Sequence, residues 1–338
     1  MPAIRRVLVT GGAGYVGAVL VPHLLAHGYA VRVLDWYLFG EHVFAPLKDH
    51  PGLEQIKGDI RNQALLKDAL RGCDAVIHLA GISNDPSFEL NPALGRSVNY
   101  DAFAPLVQQS KASGVQRFIY ASSSSVYGVS AAPRVTEDHP LAPLTDYSKY
   151  KAWCEPLLLA EQSPDFVPIV VRPATVCGYS PRQRLDLVVN LLTAQAVHLG
   201  RITVYGGSQR RPNIHIADMV AVYQLLLEAP AALVSGQVYN AGGENYTVAE
   251  LAALVRDIVQ REVPHRPAVD LVTVPTADPR SYHIASDKLK RQLGFEPRRT
   301  VADAVHDLVV AFGEGRLPAA MTDIRYYNIK MLQALAWR

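Results

Sequence analysis

The chain has 338 residues, 33 basic against 31 acidic for a net charge of +2, with 49% hydrophobic and 19% charged residues. That is ordinary globular composition, which excludes a wholly disordered chain. The even charge balance leaves no basic footprint for nucleic acid or an anionic membrane. No apolar run approaches the roughly 18 residues of a membrane span.

The length fits one large domain or two closely joined ones. Arg5 and Arg6 precede an apolar stretch of only Val7-Leu8-Val9. That is too short for the hydrophobic region of a secretory signal. Cys73, Cys154 and Cys177 are odd in number, far apart and without metal-ligand spacing. A cytoplasmic protein with free thiols and no metal is therefore expected.

The first predicted strand, residues 6–10, runs into Thr10-Gly11-Gly12-Ala13-Gly14-Tyr15-Val16-Gly17, and a helix is predicted from Ala18 to Ala26. Glycines at 11, 14 and 17 let the backbone turn tightly and approach a pyrophosphate. The helix start offers that anion free N–H groups and the positive end of its dipole. This predicts dinucleotide binding, with Tyr15 and Val16 in the loop. The second strand, 30–35, ends at Asp35. A carboxylate at about that distance from the glycines accepts both ribose hydroxyls of NAD and repels the 2′-phosphate of NADP. Trp36 follows it, where a 2′-phosphate would want arginine. NAD is therefore the expected cofactor. A third strand, 53–58, leads to Asp59 and Ile60, placed either to bind the adenine amino group or simply to end the strand in a turn.

A helix over 62–71, a strand over 75–80, a helix over 97–113 and a strand over 117–122 follow. Four serines, Ser122 to Ser125, stand directly after that last strand. Ligands bind at such carboxyl ends in doubly wound sheets. Next comes a helix from about 145 to 162 carrying Tyr147 and Lys151, four apart and so on one face. A phenol is a poor base at its ordinary value near 10. A neighbouring ammonium and the positive nicotinamide of an oxidised cofactor together favour the phenolate, and Tyr147 is then expected to titrate well below 10 and take a proton from a sugar hydroxyl. A strand over 167–172 closes this half.

Strands alternating with helices, the strands nearly all apolar, predict a Rossmann-type doubly wound parallel sheet with helices on both faces. Beyond Arg172, proline and glycine become frequent. Helices are expected over 186–200, 218–228, 248–260 and 300–312, and the strand 237–240 returns to the main sheet. The expected division is a dinucleotide-binding domain, 1–175 with return segments near 213–242, and a smaller interleaved substrate lobe of 176–212 and 243–338.

Taken together, these residues resemble the extended short-chain dehydrogenase/reductases, in their nucleotide-sugar epimerase/dehydratase branch. The resemblance also rests on His78-Leu79-Ala80-Gly81, Asn99, Val126-Tyr127-Gly128, Arg172-Pro173-Ala174-Thr175, Val204 to His215 with Asp218, and Asp278-Pro279-Arg280-Ser281-Tyr282. It implies that Ser123, Tyr147 and Lys151 are catalytic. Leu79, Ala80, Gly81, Asn99, Pro173 and Val176 would join Lys151 at the cofactor. Ser124, Asn190, Arg211 and Arg280 would meet the substrate, the arginines at its diphosphate.

Sugar 4,6-dehydratases of this branch carry Asp-Glu after the catalytic residue, where this chain has Ser124-Ser125. The resemblance therefore favours an NAD-dependent nucleotide-sugar epimerase acting at C4. A ketoreductase or dehydrogenase of a related sugar, and a non-catalytic NAD sensor, remain as alternatives. It also implies a homodimer, paired through the helices that hold Trp153, Leu157 and Leu158 and Phe103, Leu106 and Val107.

Overall fold

The computed structural model describes residues 3–83, 85–263, 268–277 and 280–335. Asp278 and Pro279, named in the last motif above, lie outside the described residues. The strands of the first half form within a residue or two of their predicted bounds: β1 (Arg6–Thr10), β2 (Ala30–Asp35), β3 (Leu53–Lys57), β4 (Ala75–His78), β5 (Arg117–Ala121) and β6 (Val167–Pro173). Later come β7 (Thr175–Cys177), β8 (Arg201–Tyr205), β9 (Arg210–His215), β10 (Gln237–Ala241), β11 (Glu244–Thr247) and β12 (Asp270–Val274).

The main sheet has seven parallel strands in the order β10-β6-β5-β4-β1-β2-β3. Valine and isoleucine along β1, β4, β5 and β6 are sealed on both faces. One apolar cluster packs Leu20, Leu24 and Met219 on one side, and another packs Leu66, Phe103 and Leu158 on the other. The chain runs outward in both directions from β1 and β4. The carboxyl ends of those two strands form the switch point at which such sheets bind ligands. β10 adds to β6, as its sequence predicts.

A separate cluster forms where the helices Val188–Leu199, Val248–Glu262 and Val301–Gly313 pack over β8. The last two begin with capping boxes, Thr247 with Glu250 and Thr300 with Asp303, each hydroxyl taking a free N–H of the first turn.

The single helix expected over 97–113 is instead a π-helical turn, Ser97–Asp101, followed by an α-helix, Phe103–Ala112. The Asn99 carbonyl accepts from the Cys154 thiol at 3.3 Å, and its amide turns inward to bond both backbone groups of Ile82. The wider turn makes room for both. The helix expected from 186 starts at Val188, because Asp186 is engaged by Arg184 and by the Asn328 N–H. Phe103, Leu106, Val107 and Leu158 are buried in the protein's own core, while Trp153 and Leu157 remain exposed. Among the described residues no helix is long and apolar enough to cross a membrane.

Candidate active site

A cleft of about 610 Å³ opens over the carboxyl ends of β1, β2, β4, β5 and β6. The glycine loop forms one wall. Gly11 has φ +72°, and a Cβ there would lie 2.5 Å from the Ala80 nitrogen. A Cβ on Gly17 would lie 2.3 Å from the Gly12 carbonyl oxygen. Both glycines are thus required for the loop to pack against β4 and against the helix Gly17–Ala26. Gly14 meets only the Gly11 carbonyl, at 3.1 Å, so its missing side chain leaves the helix entrance open to the cleft. A pyrophosphate fits such a cradle. Asp35 lines the same wall, its carboxylate accepting from the Ala13 and Tyr37 N–H groups at 3.0 and 2.7 Å. Those two bonds aim it, and its remaining lone pairs can serve ribose hydroxyls. Val16, Ile60, Leu79, Ala80 and Gly81 complete the wall, and Pro173 and Val176 stand opposite.

Tyr15 lines the cleft with its ring, but its hydroxyl donates to the Gly178 carbonyl at 2.7 Å. The Ser180 hydroxyl returns a bond to the Tyr15 carbonyl. The glycine loop is thereby joined to the segment after β7.

Ser123, Ser124, Tyr147 and Lys151 meet on the other side of the cleft. Thr145 caps the helix Asp146–Leu159 in a capping box with Ser148, which sets where the helix begins and hence which face Tyr147 occupies. Lys151 donates to the Ala121 carbonyl at 2.6 Å, where β5 ends. One turn on, Glu155 accepts from the Ser122 hydroxyl at 2.5 Å and pairs with Arg172 of β6 at 2.6 and 3.0 Å. Arg172 also donates to Tyr127, which donates to Asn240 of β10. Ser123 and Ser125 share a hydroxyl bond at 2.8 Å, and Ser124 lies 3.4 Å from the Tyr282 hydroxyl.

The expected lowering at Tyr147 counts on the charge of the cofactor as well as that of Lys151. From the protein's own groups alone, burial, reinforced by the nearby charge of Asp85, pushes the Tyr147 phenol up to about 12; Arg184 and the bond to Ser123 pull the other way. Burial also pushes the Lys151 ammonium down to about 8, against the favourable charges of Cys154 and Glu155. The ammonium sits 6.0 Å from the Tyr147 ring centre and is held by a carbonyl. The protein's own residues thus hold Tyr147 as a neutral phenol near pH 7. Cys177, a conceivable alternative base, is fully buried, its thiol pushed up by burial and donating to the Ile214 carbonyl.

Three residues expected at the ligands stand outside the cleft. Asn190 is fully buried and bonds the Gly178 N–H, the Tyr15 hydroxyl and the Arg184 carbonyl, so it fixes the loop behind the substrate side. Asn99 lies behind Gly81 and Ile82 and holds their loop. Asp59 forms a forked pair with Arg61, which occupies the carboxylate expected at the adenine. Arg211 and Arg280 do line the cleft, but Arg280 pairs with Asp85, and Asp85 also accepts from the Thr145 hydroxyl.

Asp85, Arg182, Arg184 and Tyr282 are cleft residues to which the sequence reading gave no role. Glu155 had a signal: Tyr147, Lys151 and Glu155 recur every four residues along one helix face.

The sequence matches the model of the NAD-dependent epimerase/dehydratase family over residues 7–242. The chain belongs to that family. It is thus an enzyme family whose cofactor is NAD, and the glycine cradle and Asp35 fit that cofactor. Among its relatives is a dTDP-glucose 4,6-dehydratase of Streptomyces niveus, 30% identical over 92% of this chain and 94% of that one. Another is a UDP-glucose 4-epimerase of Lactobacillus helveticus, 25% identical over 89% and 94%. The crystal structure of the dTDP-glucose 4,6-dehydratase DesIV from Streptomyces venezuelae, with NAD bound, superposes with a TM-score of 0.82 at 27% identity, covering 92% of this chain and 98% of that one. The relatives therefore include both reaction types.

Two outcomes are expected from this geometry. Glu155→Gln leaves the buried Arg172 without its counter-charge and should lower unfolding free energy by about 3–5 kcal/mol, whereas Glu155→Leu with Arg172→Leu should recover most of the loss. Urea unfolding of the three proteins reads this, and equal losses in the single and double variants would contradict it. Lys151 loses its proton as pH rises through about 8. NAD affinity should therefore fall across that range by calorimetry, and the fall should vanish in Lys151→Met. A flat profile between pH 6 and 10 in the unaltered protein would count against an ammonium at the cofactor.

Proposed function

We propose that this protein is a nucleotide-sugar epimerase that inverts a hydroxyl-bearing sugar carbon, C4 by preference, with no net change in its cofactor. The observation that carries the reading is Ser124-Ser125 beside Tyr147 and Lys151. Loss of water from the sugar calls for an acid at the leaving hydroxyl. The two positions after Ser123 offer hydroxyls instead, one turned to Tyr282 and the other to Ser123.

In this reading Tyr147 takes the proton of the sugar hydroxyl, directly or through Ser123. NAD, when bound, would supply the hydride acceptor and donor for the carbon that bears this hydroxyl, and its positive ring would favour the phenolate. Tyr147 then returns the proton. Lys151 adds positive charge beside the phenol and a donor for the nicotinamide ribose. Arg211, and Arg280 once released from Asp85, hold the diphosphate, as guanidinium forks suit phosphate oxygens. We assign the residues after β7 that build the cluster over β8, within 176–212 and 243–338, to a substrate lobe, and 1–175 with 213–242 to the cofactor. Exposed Trp153 and Leu157 support a homodimer through the helix Asp146–Leu159.

The test is a set of uridine- and thymidine-diphosphate hexoses incubated with the purified protein. One should be converted to its epimer, with no lasting absorbance change at the NADH band. Tyr147→Phe should keep its fold and NAD binding and lose roughly 10²–10⁴-fold in turnover. A keto-deoxy product, or stoichiometric NADH, would replace this reading with dehydration or net oxidation. Near-full turnover in Tyr147→Phe would remove the tyrosine from the chemistry.

A further inference from the structure

Arg182 is a buried cation with no carboxylate within hydrogen-bond reach among the described residues, and it lines the cleft. Its guanidinium carbon lies over the Phe39 ring, 3.6 Å from the ring centre. One terminal nitrogen donates to the Asn328 amide oxygen at 2.5 Å, and the other makes only a long bond to the Gln183 carbonyl at 3.5 Å. Its Nε has no partner. Ionisation is opposed first by burial and then by the charge of Arg184, while Asp186, Asp35 and Tyr15 act in its favour. The last two belong to the ribose-facing strand end and the glycine loop. Phe39 follows Asp35 and β2, so the cation lies on the cofactor side of the cleft, although it comes from the segment after β7.

The side chain is also held still. Asn328, buried at the start of the helix Asn328–Ala334, donates its N–H to Asp186 at 3.0 Å and its amide to the Ser83 hydroxyl at 2.8 Å. Ser83 follows β4 at the switch point and lines the cleft as well. Phe39 on one side and Asn328 on the other therefore fix the guanidinium before any ligand arrives.

A buried charge is ordinarily paired within the fold, because an unpaired one is costly. When the described residues place no counter-ion within hydrogen-bond reach and the cation lines a ligand cleft, a ligand can supply the closer one. The pyrophosphate is the anionic part of NAD. We propose that Arg182 is a cofactor-binding residue, reaching across from the C-terminal part of the chain to neutralise the NAD pyrophosphate opposite the glycine loop. The inference rests on the family's cofactor and not on which sugar reaction the protein performs. It also gives the segment 180–186 and the helix Asn328–Ala334 a part in holding NAD, which the glycine motif at the start of the chain does not reveal.

The distinguishing feature of this role is that stability and affinity respond differently. Arg182→Met keeps the length and the contact with Phe39 and removes the charge. The melting temperature of the ligand-free protein should stay level or rise, because a buried cation with no carboxylate in hydrogen-bond reach has gone. Affinity for NAD and for ADP-ribose should fall by roughly 10- to 150-fold, the worth of one charge-assisted bond. Affinity for adenosine, which has no phosphate, should be unchanged. Arg182→Lys should restore part of the NAD affinity. Calorimetry with the three ligands and a melting curve without ligand read all of this. A fall in the ligand-free melting temperature with unchanged NAD affinity would make Arg182 a structural tie and overturn the proposal. An equal loss for adenosine would overturn it too, since the effect would then not come from the phosphates.

Discussion

Arg172 on β6 and Glu155 on the Tyr147 helix pair bidentately with almost no access to water, and the placement of the reactive groups follows from that contact. Glu155 also receives the Ser122 hydroxyl, next to Ser123, and Lys151 takes the Ala121 carbonyl one turn earlier. The helix therefore grips the end of β5 at two successive residues. Tyr147, one turn before Lys151, is thereby held in the wall of the cleft. Arg172 extends the tie through Tyr127 to Asn240 on β10. Buried pairs of this kind add little net stability over an apolar replacement. Here the pair fixes the register between a helix and two strand ends, which apolar side chains would leave free to slide.

The same burial determines the protonation states. The cleft pushes a phenol up and an ammonium down, so both drift toward their neutral forms. A site built this way holds its proton on the tyrosine until positive charge arrives with the ligand. In the proposed reading that charge is the NAD ring, and the base forms beside the sugar hydroxyl. Arg184, which already opposes the rise at Tyr147, contributes from the segment after β7. That segment thus lines the cleft beside Tyr147 and, in the proposed role of Arg182, beside the cofactor.

The fold was largely legible because its signals are local. Apolar strands punctuated by glycine, and an Asn or Thr at helix starts such as Asn62 and Thr145, report on a few neighbouring residues. The glycine loop, Asp35 and the tyrosine–lysine spacing are equally local, and they meet at one cleft. What could not be read were contacts between distant segments. Asn190 looks from sequence like a free polar group near the substrate, yet Tyr15, 175 residues earlier, claims its amide. Asp59 lies close enough to the cofactor wall to suggest an adenine contact, and Arg61 takes its carboxylate. Spacing shows that Lys151 is near Tyr147 but not that a carbonyl holds it or how deeply both are buried.

The central claim is that hydride leaves and returns to the same sugar carbon with no loss of water. Isotope tracing tests it directly, with a nucleotide hexose deuterated at C4 in ordinary water and the unlabelled sugar in deuterium oxide. The account predicts that the epimer keeps its C4 deuterium, and that no solvent deuterium appears at C5. Solvent deuterium at C5 with a keto-deoxy product, or C4 label lost into released reduced cofactor, would contradict it.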